Sequence, residues 1–545
     1  MFQGSTPPDR DRLAVAVPGP ATSGFPAQTT MRVLFLSPFL AQEPLGVMYL
    51  SGVLKTAGHE TKMIFVPDKE FEQKLRDYDP GVICYSFTTG AHVTVLGIMR
   101  QVKKILPNAV SICGGAHVTV VPEFIEEQGV DAICRGEGEG AMVDFVNAVE
   151  QGGDLTKIPN IWFKDEQGVV HKNEPRALSQ DIEEFGFCDR ELVYDAADFY
   201  RSSERKVIKT DRGCPMNCSF CFHHAWKKKV YGVTNNEYVR RRSVDHVIEE
   251  AKRIKAKYPL TFVHFLDDIF NINNKWLAEF AERWPKEVGL PFDAILMANM
   301  VQEKHIQLLK KAGCIYARIA FEAANDHMRN AVMKKNTTRA QLIRAATLIK
   351  QYGIRLGSLN MLGGPGATID DDIETIELNI ECGVDHPLAS LLQPYPMTDI
   401  NDITKDMGLA TDTWEEFPTL FNRTTSIALP HRHYYENLHK WFPVVVRYPS
   451  LLPFVKKAIK SKALSTPYTW MYMLYSEWLV TEQNSLYYRA QGKKGLKTVA
   501  PIDFTGRVFT KGFIRIFTTL FGKKALKMNL KMNLNDERVM NHMDE

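Results

Sequence analysis

The sequence predicts an α/β protein: a Rossmann-like doubly wound parallel sheet, then a partial (β/α)6 barrel of TIM type, then a helical carboxyl-terminal region. Three observations lead there. Apolar runs of strand length alternate with helical stretches at close spacing, and after a break the alternation resumes on a larger scale, as parallel strands joined by crossover helices require. Past residue 411 it gives way to aromatic-rich, basic helical stretches. The length of 545 residues gives room for three or four domains.

Residues 1–30 carry Pro7, Pro8, Pro18, Pro20 and Pro26 among Gly, Ser, Thr and Ala. Such a stretch holds no helix or strand for long and reads as a disordered tail. Order begins with the apolar run 32–37, which stops at Pro38. A helix over 45–57, a strand at 61–66, a helix near Phe71, a strand at 81–86, a helix over 93–105 and a strand at 109–113 follow. This first domain is expected to span 31–165, with a connector over 166–202. In a parallel sheet of this kind ligands bind beyond the carboxyl ends of the strands, where Ser37, Ser86 to Thr89 and Gly114 to His117 fall. The second domain, 203–410, is expected to place strands at 207–210, 262–265, 294–297, 317–321, 355–359 and 388–392, and six such units suit a partial or full barrel.

Composition narrows the function. The net charge of +3, from 67 Lys+Arg against 64 Asp+Glu, provides no global field that would select nucleic acid. Between residues 431 and 530, however, 17 basic residues face 4 acidic ones. Segments there such as 451–460 and 513–524 mix apolar and cationic faces, so the 411–545 region is read as a basic helical domain. Two roles fit it: a cap packed on the barrel, or a peripheral contact with an anionic membrane surface. Nine cysteines are too few for a disulfide scaffold at this length, which indicates a reducing, cytoplasmic setting. No apolar run reaches 18 residues, and the first thirty residues lack the order of a secretory signal.

The chemistry concentrates in Arg212-Gly-Cys-Pro-Met-Asn-Cys-Ser-Phe-Cys221, which sets Cys214, Cys218 and Cys221 in a C-x3-C-x2-C spacing directly after a strand. Three thiolates on one short loop hold three corners of a cuboidal iron-sulfur cluster and leave one iron open. That open iron suits an amino acid chelating through its amine and carboxylate. A zinc site completed by His223 or His224 is the alternative, although structural zinc usually takes two ligand pairs separated by a longer loop. The remaining cysteines show no second cluster spacing, and Cys84 and Cys113 lie in apolar strands as inert core thiols.

This loop, with Phe220 before its last cysteine, resembles the signature of the radical S-adenosylmethionine (SAM) superfamily. The resemblance continues through Phe265-Leu-Asp-Asp-Ile-Phe270, Lys311-Ala-Gly-Cys314, Phe321-Glu322 and Gly363-Gly-Pro-Gly366. It implies a [4Fe-4S] cluster that passes one electron to bound SAM, giving methionine and a 5'-deoxyadenosyl radical. It also implies SAM contacts by Phe220, by Asp267 or Asp268 with Glu322, and by Gly364, Pro365 and Gly366. Taken singly, these residues have plainer readings: Asp267 and Asp268 as helix caps, Glu322 as a paired core carboxylate, the glycines as a turn.

The first domain resembles the cobalamin-binding domain that precedes many radical SAM enzymes, through Pro44-Leu-Gly46, Ala57-Gly-His59, Gly114-Gly-Ala-His-Val-Thr119, Pro122-Glu123 and Arg135-Gly-Glu-Gly-Glu139. Contacts to cobalamin would come from Ser86, Thr88, Thr89, Gly114, Gly115, His117, Gly136 and Glu137. The D-x-H-x-x-G motif that supplies a lower axial histidine is absent, so a histidine-ligated cobalt is not expected. Together the resemblances imply methyl transfer to an unactivated carbon of a small-molecule substrate, with an external electron donor of flavodoxin or ferredoxin type; the amphipathic basic segments of the carboxyl-terminal region favour a hydrophobic one. The alternatives are a cobalamin-dependent cyclase, oxidase or rearrangement enzyme and, from another class, a non-catalytic partner that keeps the fold. No motif names a catalytic side chain.

Overall fold

A computed structural model describes residues 30–38, 42–410, 413–414, 417–418 and 423–490. The first domain holds β1 (Arg32–Pro38), β2 (Glu60–Val66), β3 (Val82–Ser86), β4 (Val110–Gly114), β5 (Ala132–Cys134), β6 (Ile161–Lys164) and β7 (Val170–Lys172) in one sheet of order β2-β1-β3-β4-β5-β6-β7. The first five strands run parallel, and the sheet ends in the antiparallel pair β6 and β7. Strand β7 falls in the stretch read from sequence as connector, and three-residue β5 escaped that reading; both are too short to show a period. Separate apolar clusters cover the two faces, one including Phe35, Cys84 and Phe145, the other Leu34, Tyr85 and Met99. This two-sided burial explains why β1 and β3 read as continuous apolar runs. The order reverses between β1 and β3, which opens a crevice at the carboxyl ends of the strands.

The second sheet contains β8 (Arg205–Ile208), β11 (Phe262–Phe265), β12 (Phe292–Leu296), β13 (Cys314–Glu322), β14 (Arg355–Leu362) and β15 (His386–Leu391), all parallel and in that spatial sequence. Between β8 and β11 a small ribbon pairs β9 (Asp211–Arg212) with β10 (Arg240–Arg241). Its crossover helices start on clear signals: Ser243 caps Val244–Lys257, and Thr338 with Gln341 and Thr368 with Asp371 form capping boxes on Arg339–Gln351 and Ile369–Glu381.

Of the carboxyl-terminal region, helices Arg432–Arg447, Leu452–Ala458 and Ser465–Ala490 are described. Leu438, Trp441, Phe442, Val445, Val455 and Ile459 join the barrel's apolar cluster, so residues 451–460 bury their apolar stripe against the protein itself. Segment 513–524 lies outside the described residues. Among those described, no helix is long and apolar enough to cross a membrane.

Candidate functional site

The cysteine loop leaves β9 through Gly213, whose φ is +85° and where a Cβ would collide with the Tyr238 carbonyl oxygen. Only glycine combines that left-handed backbone with so close a neighbour. Cys218 is buried and Cys214 and Cys221 are partly so. Burial pushes the Cys214 thiol up to about 11, with Asp268 and Cys218 adding to the effect, and it raises Cys218 and Cys221 as well. Loading iron therefore means displacing protons from thiols that the fold holds neutral, and nearby cations must compensate.

Two buried lysines are placed to do so. Lys227 Nζ donates to Pro215 O at 3.2 Å, to Asn217 Oδ1 at 2.8 Å and to Asn235 Oδ1, which ties it into the loop. Lys335 Nζ lies 2.8 Å from Glu322 Oε1. Its burial disfavours the ammonium, but Glu322 and the Cys218 sulfur outweigh that and raise its pKa. The zinc alternative fits less well. His223 Nδ1 meets the Tyr238 hydroxyl at 3.0 Å, its Nε2 lies 3.1 Å from Asp268, and His224 Nε2 lies 3.3 Å from Asp399. Both rings thus lie against carboxylates, and among the described residues no three His, Cys, Asp or Glu side chains converge on one ion. Ligands of a cuboidal cluster need no such convergence, because each binds a different iron.

The predicted SAM residues follow the carboxyl ends of their strands, and of them only Asp268 lines the cavity. Asp268 borders the central cavity, held ionised by Lys209 and His223 against the opposing effect of burial. Asp267 is fully buried and accepts from Thr210 N and the Thr210 hydroxyl, beneath Arg241. The two neighbouring aspartates thus have separate tasks, one facing the cavity and one tying β11 to the end of β8. Glu322, with φ +61°, sits at a break in the β13–β14 register. Phe220 packs on the barrel core beside the loop. Gly364, Pro365 and Gly366 form the turn after β14, anchored where Gly363 N donates to the buried carboxylate of Asp372 at 2.8 Å.

The residues predicted for cobalamin divide into two groups. Ser86, Gly114, Gly115, Gly136 and Glu137 line a cavity of about 340 Å³ at the carboxyl ends of β3, β4 and β5. Its opposite wall comes from the second domain: Arg212, Gly213, Phe222, His223, Tyr231 and Asp268. Thr88 is exposed and does not line it, while Thr89 and His117 form a buried pair, Oγ1 to Nδ1 at 2.9 Å. Burial pulls His117 down to about 3, and the imidazole stacks on His92 with Trp414 edge-on to both. His59 is buried against Asn147. A cavity of 340 Å³ would admit part of a corrin. The fit is carried by Gly114, which borders open space, whereas at Gly115 and Gly136 a Cβ would collide with the Phe87 carbonyl oxygen and the Tyr231 hydroxyl, so those two glycines serve the protein's own packing.

Sequence reasoning gave no role to Glu139, Arg212, Tyr231 and Arg240, which join the walls around Glu137. Arg212 pairs with Glu139 at 2.6 Å and Glu137 at 3.2 Å, and Arg240 pairs with Glu137 at 2.5 Å. The Tyr231 hydroxyl accepts from Glu137 N at 2.7 Å. Lys335 belongs with them as a second-domain cation at the cluster. The available signal was Glu137-Gly-Glu139, two carboxylates one residue apart at a strand end, with Arg212 immediately before the Gly-Cys turn.

An α/β chain in which a doubly wound sheet and a three-cysteine half barrel face one cavity belongs to the class of cluster enzymes with an accessory cofactor domain. Comparison with known proteins defines the class further. Residues 31–146 match the B12 binding domain and residues 208–378 the radical SAM superfamily. An uncharacterized methyltransferase of Pyrococcus horikoshii is 28% identical over 390 residues, covering 69% of this chain and 82% of its own. An anaerobic magnesium-protoporphyrin IX monomethyl ester cyclase of Rubrivivax gelatinosus is 27% identical over 395 residues, covering 68% and 69%. The structure of the radical SAM methyltransferase TsrM from Kitasatospora setae, with cobalamin and a [4Fe-4S] cluster bound, superposes with a TM-score of 0.58 at 18% identity, covering 69% of this chain and 78% of that one. The chain is a radical SAM enzyme with an amino-terminal B12-binding domain, and its cofactors are a [4Fe-4S] cluster, SAM and cobalamin.

Proposed function

We propose that the protein transfers a methyl group to an unactivated carbon of a small, hydrophobic substrate. The observation that carries this reading is the shared cavity: the small-residue edge of the B12-binding sheet faces, across a single space, Gly213 and Phe222, the residues that flank the cysteine loop on either side. When bound, the cluster with SAM supplies a radical able to take hydrogen from carbon, and cobalamin supplies the methyl group.

The chain's own residues bind, orient and exclude water. Cys214, Cys218 and Cys221 hold three irons, with Lys227 and Lys335 offsetting the negative charge of the thiolates. Asp268, kept ionised by Lys209 and His223, presents a carboxylate to the SAM amine or ribose. Gly364 and Gly366 let backbone approach the adenosine closely. Glu137 and Glu139, paired with Arg212 and Arg240, hold the two cofactor surfaces together. The electron comes from a flavodoxin- or ferredoxin-type donor in a cytoplasmic setting, and the basic excess of residues 431–530 supports contact with a membrane surface.

The test is anaerobic reconstitution, iron and cobalt analysis, then turnover with reductant, methylcobalamin and SAM. About four irons and one cobalt, with S-adenosylhomocysteine and 5'-deoxyadenosine forming together, is the expected result. Deoxyadenosine without S-adenosylhomocysteine would replace methyl transfer by cyclisation or rearrangement, the activity named for the Rubrivivax relative.

A further inference from the structure

Helix Arg432–Arg447 is enclosed on every side, with all its residues from Asn437 to Val446 buried. It packs on β15, on Ile369–Glu381 and on the helix Leu452–Ala458 and the start of Ser465–Ala490. His439 Nε2 meets Ala389 O of β15, while the Trp441 ring lies 6.0 Å from Phe454 and 5.3 Å from Tyr468. Helix Arg432–Arg447 is thus a middle layer, and the two later helices form an outer one. Asn437 Nδ2 donates to Ile459 O at 2.9 Å, Lys440 Nζ to Ser465 O at 3.1 Å, and the Tyr468 hydroxyl to Ala458 O at 3.1 Å, which fixes the outer layer to the middle one and its two helices to each other.

Helical periodicity decides what the outer layer turns to solvent. Val455, Ile459, Tyr468 and Tyr475 are its buried residues. Lys457 stands two positions from both Val455 and Ile459, and Trp470 two positions from Tyr468, which is about 200° around the axis and so on the far side. Lys456, Lys457, Lys460 and Lys462 are exposed, as are Phe454 at 40%, Leu464 at 42% and Trp470 at 60%. Nine large apolar side chains are exposed among the described residues, and three of them fall within residues 454–470, a concentration that marks a contact surface. Lys456 pairs with Glu377, whereas among the described residues no carboxylate lies within ion-pair range of Lys457, Lys460 or Lys462. From residue 437 to residue 476 the chain carries six Lys+Arg and no Asp or Glu.

We propose that this outer layer docks on an anionic lipid bilayer, with Trp470 and Leu464 entering the headgroup region and Lys457, Lys460 and Lys462 meeting lipid phosphates. The tryptophan ring favours the boundary between water and acyl chains. Lysine keeps its apolar stem among apolar groups while its ammonium reaches outward. Between residues 448 and 488 every cation is a lysine, so the guanidinium fork that suits nucleic acid is missing there, and exposed Leu464 and Pro467 offer a base neither a bond nor a stacking face. The assignment gives a surface to the membrane contact of the proposed function, rests on that part of the reading alone and requires nothing of methyl transfer.

The test sediments the anaerobic holoenzyme with vesicles of phosphatidylcholine, alone or with about one-third phosphatidylglycerol. The protein should prefer the anionic vesicles by roughly tenfold or more and leave them in about 1 M salt, where charges are screened within about 3 Å. K457E/K460E/K462E should weaken that binding by about a hundredfold, since each basic residue near an anionic surface contributes roughly fivefold, with iron content and melting temperature unchanged. Brominated lipid should quench the tryptophan fluorescence of the wild type, and W470F should remove most of that quenching. Equal binding to both vesicles, or binding to neither, overturns the proposal. Anionic-vesicle binding that survives the triple substitution also overturns it and moves the membrane contact to another surface. Tighter binding to single-stranded RNA than to vesicles overturns it in favour of nucleic acid. Vesicle binding without S-adenosylhomocysteine formation leaves this surface standing and retires methyl transfer alone.

Discussion

Two ionic networks join the same two domains, and each contains two carboxylates and two guanidinium groups. In the first, Glu43 accepts from Arg190, from the Tyr194 hydroxyl and from Val207 N, and Arg190 and Arg242 both reach Glu250. Its charged side chains are at most 6% exposed. In the second, Glu137 and Glu139 meet Arg212 and Arg240 on the cavity wall, with Arg212 18% and Glu137 23% exposed. Equal charge at different depth gives different work: the first network fixes the domains to each other, and the second holds the cysteine loop against the B12-binding sheet. Ion pairs contribute according to what surrounds them, and removing one partner of a buried set leaves the others uncompensated.

Arg190→Ala should have the largest effect on stability, about 3–5 kcal/mol, because it removes the one guanidinium that Glu43 and Glu250 share in the interior. Denaturant unfolding reads this, and the fraction that folds should keep wild-type iron per chain. Arg240→Met should cost less, about 1–3 kcal/mol for the charged group left without its partner, yet lower both iron and cobalt retention after anaerobic gel filtration. If Arg190→Ala loses cofactor and Arg240→Met keeps it, the two networks have been assigned the wrong tasks.

A third junction responds to pH. Folded His117 takes a proton near pH 3, its unfolded counterpart near 6.5. Between those values the unfolded chain binds more protons, so stability is full above about 6.5 and falls as pH drops toward 3. His117→Phe should flatten that slope when unfolding is followed by tryptophan fluorescence. The smallest effect belongs to Lys456 and Glu377, about half exposed and 3.3 Å apart. Removing either should change stability by less than about 1 kcal/mol, which sets the scale for the buried networks.

The strand alternation and the cysteine spacing were legible in the sequence because each is local: apolar runs declare buried parallel strands, and one loop carries three ligands. The networks were not legible. Glu43 and Arg190 are separated by 147 positions and meet only because the 166–202 stretch folds back across both domains. Asp267 and Asp268 are adjacent in sequence and alike in chemistry, yet the turn after β11 sends one into Thr210 and the other into the cavity. Thr89 and His117 lay in the right loops, but side-chain direction at the ends of β3 and β4 buried them beside His92. Spacing reports which residues share a loop; the pleat and the turn decide which of them face the ligand.

A half barrel, unlike a closed one, leaves an outermost strand, and here, among the described residues, β15 pairs only with β14. Helix Arg432–Arg447 packs on it, with His439 Nε2 at 3.0 Å from Ala389 O. An uncovered parallel strand offers a row of backbone groups to any passing chain and templates self-association. A chain cut before Arg432 would keep its cysteine loop and its cofactor residues, and would be expected to precipitate by joining β15 to copies of itself.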